Sequence, residues 1–219
     1  MKLLLIVFVV MITSCVKENS CTGDCLLKTV HAPAFPLNIV CVGNSVTYGE
    51  GVAPDSSYPM QLGHEFTDSG VLGDITNAGT LTDSLPSPVI VEGDTNIAVV
   101  GEIDQTPMDN YFQVDEYLTE LFSYCQGLRT SGFKVIIMTN PFRKDYLAYS
   151  SYDAMTFDND MIEINDSIRS NWPRFADGIA DMKPLESYNI LYDQSDKIDF
   201  TAAGYSIMSE IVFNAIKKL

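Results

Sequence analysis

The stretch "LNIVCVGNSVTYGEGV", residues 37–52, decides the fold class of this 219-residue chain. It begins with a short apolar run rich in β-branched side chains, which is typical of a strand buried in a parallel sheet. Gly43, Gly49 and Gly51 then punctuate a polar loop that contains Ser45. Because α/β proteins carry their sites at the carboxyl ends of such strands, Ser45 lies where chemistry is expected. Taken alone, however, the loop is more typical of an ordinary glycine-rich turn.

Similar apolar runs recur along the chain and alternate with helical patterns. Further strands are predicted at "NIAVVG" (96–101) and "KVIIMT" (134–139), and on weaker patterns at "GDITNA" (73–78) and "FADGIAD" (175–181). Helices are predicted over residues 58–66, 111–130, 152–171 and 201–219. Strands that alternate with helices predict a three-layer α/β/α sandwich, a doubly wound domain around a parallel sheet of about five strands.

The final helix is specified in most detail. Thr201 is a candidate N-cap, and Lys217 and Lys218 lie where the helix dipole is negative. Between them runs an apolar stripe that predicts one buried face: Tyr205, Met208, Ile211, Val212 and Ile216.

Charge and histidine content exclude several classes of function. The chain has 13 Lys and Arg residues against 29 Asp and Glu residues, a net charge of -16. Such a field repels phosphate backbones, so nucleic acid is not expected as a partner. With His31 and His64 as its only histidines, the chain cannot form a histidine-rich metal centre. No cofactor is indicated, and the length suits one domain.

The N-terminus has the pattern of an export signal. Lys2 precedes an unbroken apolar run from Leu3 to Ile12, which is too short to span a bilayer as a helix and suits a signal peptide. The small residues before Cys15 resemble the lipobox of bacterial lipoproteins, whose cysteine becomes lipidated. We therefore expect a signal peptide over residues 1–15 and a membrane anchor at Cys15. An ordinary secretory signal with an incidental cysteine is the alternative.

A polar, proline-punctuated segment, residues 16–36, follows and suits a flexible tether to a domain over residues 37–219. The expected location is thus the periplasm or the cell surface. Cys21 and Cys25 in this segment could form a disulfide in an oxidising compartment. Cys41 and Cys125 lie in apolar patterns and are predicted to be core residues.

Four short blocks, taken together, resemble the SGNH/GDSL hydrolases. They are "GNSVTYGEG" (43–51), "NAGT" (77–80), "VVGEID" (99–104) and "DKIDFTAAGY" (196–205). Each block is modest by itself, but all four occur in the family's order and cover the chain from about residue 37 onward. The resemblance implies a flavodoxin-like strand order and serine-dependent ester hydrolysis, for example deacetylation of carbohydrate.

The resemblance also assigns roles to particular residues. Ser45 corresponds to the nucleophile, and the amides of Ser45 and Gly79 correspond to oxyanion donors. Asp196 corresponds to the carboxylate that orients the catalytic histidine. The implied partner is a small-molecule or carbohydrate ester.

Three positions depart from the family pattern. Asp199 stands where the family has its catalytic histidine, Ile103 stands where it has an asparagine oxyanion donor, and Asn44 replaces the aspartate of the GDS motif. Histidine suits the base because its pKa of about 6.5 lets it accept and return a proton, whereas the reference pKa of a carboxylate is about 4. Removing the histidine from a serine triad in another hydrolase costs roughly six orders of magnitude in kcat.

Three hypotheses from different classes follow. The chain could be an esterase in which Asp199 serves as an atypical base, with His64 or His31 as improbable substitutes. It could be a catalytically silent relative that uses the same pocket to bind a glycan or another small ligand. The third hypothesis is a cation site made by Asp193, Asp196 and Asp199, although their spacing is not that of an EF-hand loop and also suits an acidic turn.

Overall fold

The structure, a computed structural model, describes residues 36–81, 85–103, 113–141, 154–186, 189, 191–194 and 199–219. Its strands are β1 (Leu37–Gly43), β2 (Gly73–Gly79), β3 (Thr95–Val100), β4 (Lys134–Met138) and β5 (Gly178–Ala180). Its helices are α1 (Ser45–Tyr48), α2 (Tyr58–Asp68), α3 (Val114–Thr130), α4 (Ala154–Phe175) and α5 (Ala202–Ile216). The predicted alternation of strands and helices is confirmed.

The strands form one sheet in the order β2-β1-β3-β4-β5. Every neighbouring pair is parallel. This is the flavodoxin-like order of doubly wound sheets, in which ligands bind beyond the carboxyl ends of the strands. The fold predicted from the sequence is therefore confirmed, and both β1 and β3 lie in the middle of the sheet.

Two apolar clusters, one on each face of the sheet, make the three layers. Ile39 and Cys41 of β1 pack with α2 and α5 on one face. Val40 and Val42 pack with α3 and α4 on the other. Because successive side chains of a strand point to opposite faces, a continuous apolar run such as that of β1 fills both clusters.

The two cysteines predicted as core residues are buried with free thiols. Burial raises the pKa of Cys41 to about 12, although a hydrogen bond from Tyr58 works in the opposite direction. Burial likewise raises the pKa of Cys125 to about 12. Both thiols therefore stay protonated at neutral pH and act as apolar side chains.

The predicted N-terminus of the last helix is confirmed. Thr201 Oγ1 accepts a hydrogen bond of 3.3 Å from the Gly204 amide. Most of the predicted stripe is buried, with Tyr205, Met208 and Val212 fully enclosed.

Two local predictions differ from the structure, one in the type of element and one only in its bounds. Residues 45–48 form a one-turn helix instead of an irregular loop. The predicted strand 175–181 is shortened to Gly178–Ala180, because α4 continues to Phe175. At the end of that helix the ring of Phe175 stacks on that of Phe122, with 4.3 Å between centroids.

Several predictions concern residues outside the described ranges. They include the signal peptide, the lipid site at Cys15, the tether, the pair Cys21 and Cys25, His31, and Asp196. Among the helices that the structure describes, none combines the length and the apolar character needed to cross a bilayer.

Candidate active site

Ser45 lies at the carboxyl edge of the sheet, directly after β1. The Asn44 amide donates to the Glu102 carbonyl at 2.9 Å, which ties the end of β1 to the segment after β3. Helix α1 then starts at Ser45, whose carbonyl accepts from the Gly49 amide at 2.9 Å. Gly49 adopts φ 88°, a left-handed conformation that suits glycine and ends the helix after one turn.

Small residues let α1 sit close to the sheet. A Cβ at Gly43 would overlap Thr47 Oγ1, and one at Gly101 would lie 3.0 Å from the same atom. The Thr47 and Tyr58 hydroxyls share a hydrogen bond of 3.4 Å beneath the helix. Burial is the main reason why the pKa of Tyr58 rises well above its usual value, so this phenol is a neutral support for α1.

Gly79 ends β2 where α1 crosses it. A Cβ at this position would lie within 2.5 Å of Thr47 C and Tyr48 Cα, so no larger residue fits without moving the helix. The Gly79 amide donates to Asn77 Oδ1 at 2.9 Å, and Asn77 Nδ2 donates to the Tyr48 carbonyl at 3.2 Å. The Gly79 amide, which the family resemblance identifies as an oxyanion donor, is therefore already bonded to Asn77 in this conformation.

Ile103 lies next to this region but offers no polar group. Its side chain is 7% exposed and packs in the apolar cluster that contains Tyr117 and Leu121. An isoleucine can fill this place because the cluster supplies alkyl and aromatic neighbours. The third donor of the family's oxyanion hole has no counterpart at position 103.

The loop that carries Asp199 contacts the loop after α1. The Gln194 amide donates to the Asp199 carbonyl at 2.9 Å, and Gln194 Nε2 donates to the Gly51 carbonyl at 2.6 Å. A Cβ at Gly51 would lie 3.1 Å from Asp199 Oδ2, so the carboxylate lies against this glycine. The Tyr205 hydroxyl also donates to the Glu50 carbonyl at 3.1 Å. The structure thus brings the loop after α1 and the Asp199 loop together.

Asn44 is a polar side chain with an unusual environment. It is 3% exposed, yet neither its Oδ1 nor its Nδ2 has a hydrogen-bond partner in the part of the chain that the structure describes. A buried polar group without a partner costs about 1–3 kcal/mol. In the sequence Asn44 is notable only because it departs from the GDS motif. That its side chain lacks hydrogen-bond partners follows from the packing around it and could not be predicted.

A polar network that the sequence did not predict lies at the carboxyl ends of β4 and β5. The Asn140 amide donates to Asn165 Oδ1 at 2.7 Å, and Asn165 Nδ2 donates back to the Asn140 carbonyl at 2.8 Å. Arg169 donates to Asp181 at 2.8 Å and also binds Glu186. The network fastens α4 to the ends of both strands.

The charge of Arg169 changes the ionisation of this network. Burial alone would raise the pKa of Asp181, but hydrogen bonds and the positive charge of Arg169 outweigh it and lower that pKa. The one available signal in the sequence was the presence of Asn140 and Asp181 directly after apolar runs, where α/β proteins place polar site residues.

The residues of the cation-site and substitute-histidine hypotheses lie only partly within the described ranges. Among the described residues, no group of three His, Cys, Asp or Glu side chains is arranged to hold a metal ion. Asp193 is buried and accepts from the Asn189 amide at 2.7 Å, while Asp196 lies outside the described ranges. His64 is exposed on α2.

The fold is shared with several solved structures. TesA matches with a TM-score of 0.63 at 14% identity, over 83% of this chain and 98% of TesA. A member of the lipolytic protein G-D-S-L family from Veillonella parvula matches with a TM-score of 0.56 at 11% identity, over 84% and 100%. The acetyl xylan esterase AlAXEase matches with a TM-score of 0.52 at 11% identity, over 81% and 98%.

Comparison of the sequence alone identifies no relative. No family model matches the chain, and no curated protein matches it either. The structural matches show that the chain has the fold of the SGNH/GDSL hydrolases. Because the sequence identities are only 11–14%, the likeness concerns the fold alone.

Proposed function

We propose that this protein is an exported SGNH/GDSL hydrolase-like protein whose Ser45-dependent ester hydrolysis is weak or silent. The observation that carries the proposal is the position of Asp199. This residue stands where the family has its histidine, and its loop packs on the loop that follows Ser45. The two loops lie in contact, and the residue proposed to take the proton is a carboxylate.

The chemistry of proton transfer explains why turnover should be slow. A serine hydroxyl becomes a good nucleophile only when a base accepts its proton, and a carboxylate with a pKa of about 4 is a weak base at neutral pH. The oxyanion side is incomplete as well, because Ile103 donates nothing and the Gly79 amide is engaged by Asn77. Loss of one such donor costs about 10²–10³ in kcat in another serine hydrolase.

A second candidate function is the binding of a carbohydrate ester or another small ligand without turnover. The isolated amide of Asn44, next to Ser45, favours it. Both polar atoms are buried, so a ligand that offered a donor and an acceptor would satisfy them, and recover the cost of burying them, through a shift of α1 that exposes the side chain. Carbohydrate esters carry hydroxyl groups that donate hydrogen bonds and carbonyl groups that accept them. One protein with this fold is an acetyl xylan esterase.

A direct test compares hydrolysis of p-nitrophenyl acetate by the wild type and by Ser45→Ala. We expect equal, low rates, because the Ser45 hydroxyl lacks an efficient base. Ser206→Ala changes an exposed serine of α5 and serves as the matched control. A typical esterase rate that is lost in both Ser45→Ala and Asp199→Ala, but kept in Ser206→Ala, would show that Asp199 is a working base.

Ligand binding is tested separately by thermal unfolding. Acetylated xylo-oligosaccharides should raise the Tm of the wild type, since a ligand that binds only the folded state stabilises it. The same oligosaccharides after chemical deacetylation are the control. Equal Tm values with and without the acetylated sugar would contradict the binding function.

Lipid attachment at Cys15 is also part of the proposal and rests on the apolar run before it. Cells that express the wild type should incorporate a fatty-acid analogue into the protein, and Cys15→Ala should not. Cys25→Ala is the control, because it removes a cysteine of the neighbouring segment. Equal labelling of Cys15→Ala and the wild type would disprove the anchor.

A further inference from the structure

A second candidate binding site lies at the amino edge of the sheet, opposite Ser45. A cavity of about 200 Å³ opens there between the first residues of β1, β3 and β4 and the ends of α2 and α5. Since β1 is seven residues long and rises about 3.3 Å per residue, roughly 20 Å of strand separates this cavity from the active-site edge. The cavity is therefore distinct from the pocket beside Ser45.

The inner wall of the cavity is made of alkyl and aromatic side chains. Leu37, Phe66, Ile97 and Ile216 line it, and each of them is less than a tenth exposed. Such a surface offers no hydrogen bonds to water, and an apolar cavity of about 150 Å³ in another protein stays dry and binds benzene. An apolar group is the ligand that this wall favours.

The rim of the cavity adds positive charge. Lys134 and Lys217 are lining residues, whereas no Asp or Glu side chain contributes to the described lining. Lys217 Nζ lies 4.9 Å from the centre of the Phe213 ring, and within the described ranges no carboxylate comes within 4.0 Å of it. The Lys217 side chain therefore lines the cavity mainly with its alkyl stem and keeps its ammonium against the Phe213 ring.

Lys134 is only partly neutralised. Its Nζ lies 3.9 Å from Asp177 Oδ1, but the same oxygen also pairs with Arg129 at 3.3 Å. One carboxylate therefore serves two cations. In a chain of net charge -16, an apolar cavity with two lysines at its rim has a charge opposite to that of the molecule as a whole.

We propose that this cavity binds a fatty acid, with the alkyl chain against Leu37, Phe66 and Ile97 and the carboxylate at Lys134 and Lys217. An alkane would gain nothing from the lysines, and a cationic amphiphile would be repelled by them. A volume of about 200 Å³ suits one short alkyl chain, so a single-chain carboxylate matches the cavity better than a two-chain phospholipid. The site requires no turnover at Ser45.

Calorimetric titration of the full chain with decanoate tests the site, with decylamine as the ligand of equal chain length and opposite charge. Decanoate should bind saturably at one site, and decylamine should bind at least about tenfold more weakly. Ser45→Ala should bind decanoate like the wild type, which separates this site from the proposed hydrolase site. Absence of saturable decanoate binding, or equal affinity for decylamine, would overturn the proposal.

Two variants of adjacent residues isolate the role of the rim. Lys217→Gln should weaken decanoate binding about threefold to fivefold, the usual effect of a partly exposed ion pair. Lys218→Gln makes the same charge change one residue away, at a side chain that does not line the cavity, and should change the affinity less than about twofold. If both variants weakened decanoate binding equally, the affinity would depend only on the overall charge of the protein, and the proposed contact between the carboxylate and Lys217 would be wrong.

Filling the cavity distinguishes it from other apolar parts of the chain, including the run Leu3–Ile12. Val71→Trp enlarges a half-buried lining residue in the turn after α2, and Ile216→Phe enlarges a buried one in α5. At least one of the two variants should fold with the Tm of the wild type and bind decanoate at least about tenfold more weakly. If every folded filling variant keeps the affinity of the wild type, the fatty acid binds elsewhere and the proposal fails.

Discussion

The carboxyl edge of the sheet is crowded with backbone and small residues, whereas the amino edge is open and lined by alkyl chains and lysines. At the carboxyl edge, Gly43 and Gly79 admit α1 so closely that a single added methyl group would overlap it. At the amino edge, Leu37 and Ile97 face a cavity of about 200 Å³. The same strands therefore end at a tightly packed polar site and begin at an apolar cavity.

The direction of the helices explains part of this difference. In a parallel α/β sheet the connecting helices run antiparallel to the strands, so their C-termini gather at the amino edge. Basic residues are favoured there because they complement the negative end of each helix dipole. Of the seven Lys and Arg residues in the described ranges, five lie at this edge: Arg129, Lys134, Arg174, Lys217 and Lys218.

The largest effect is expected from introducing the two groups that the proposed hydrolase site lacks at the carboxyl edge. Asp199→His combined with Ile103→Asn should raise the rate of p-nitrophenyl acetate hydrolysis by about 10³-fold, because a relay and an oxyanion donor act as a unit. Each single change should give less than the double change. The increase should vanish when Ser45→Ala is added. A double variant that folds like the wild type but stays inactive would show that the carboxyl edge lacks more than these two groups.

The close approach at Gly79 should make the carboxyl edge intolerant of even one methyl group. Gly79→Ala forces a Cβ to within 2.5 Å of Thr47 C and should lower the free energy of unfolding by about 3 kcal/mol. Urea denaturation measures the change. Gly127→Ala, in α3, meets no atom within 4 Å and should instead raise stability by about 0.5–1 kcal/mol. Equal effects of the two changes would refute the tight packing of α1 on β2.

The Arg169 network should stabilise the carboxyl edge in a pH-dependent way. Arg169→Gln should lower the free energy of unfolding by about 2 kcal/mol near neutral pH, because charged hydrogen bonds to Asp181 and Glu186 are lost. Arg174→Gln, at the amino edge, is the control and should change it by less than about 0.5 kcal/mol.

The sign of the pH dependence follows from the lowered pKa of Asp181. A carboxyl group whose pKa is lowered by folding stabilises the folded state above the pKa of the unfolded chain, about 4, and this contribution disappears as the pH falls through the lower folded value. The difference between wild type and Arg169→Gln should therefore shrink in acid. Solvent screens part of the effect, since 39% of the Asp181 side chain is exposed. A difference that is constant with pH would contradict the ion pair.

The smallest effect is expected at Asn44, where stability and binding should oppose each other. Asn44→Leu removes two unpartnered polar atoms and should raise the free energy of unfolding by about 1 kcal/mol. The same change should weaken the Tm increase caused by acetylated xylo-oligosaccharides, because the ligand loses a hydrogen-bonding group. A loss of stability would mean that the amide has a partner in the folded protein, and that the carboxyl edge holds no unsatisfied group.

The parallel α/β fold and the likeness to the SGNH hydrolases can be predicted without the structure. Both depend on local patterns: short β-branched runs such as that of β1, helical periodicity in α5, and glycines beside Ser45. The absence of histidine at position 199 is also read directly from the chain. Such features are encoded within a few neighbouring residues, so no knowledge of packing is needed to find them.

Which polar groups of the candidate site have hydrogen-bond partners follows from three-dimensional packing and could not be predicted from the sequence. The bond from the Gly79 amide to Asn77, the isolation of Asn44 and the position of Asp199 against Gly51 all depend on how α1 and the last loop pack. The amino-edge cavity likewise needs Leu37 and Ile216, residues almost the whole domain apart in the sequence. Periodicity fixes which face of a strand or helix is buried, but contacts between distant residues follow from side-chain volumes and close packing in three dimensions.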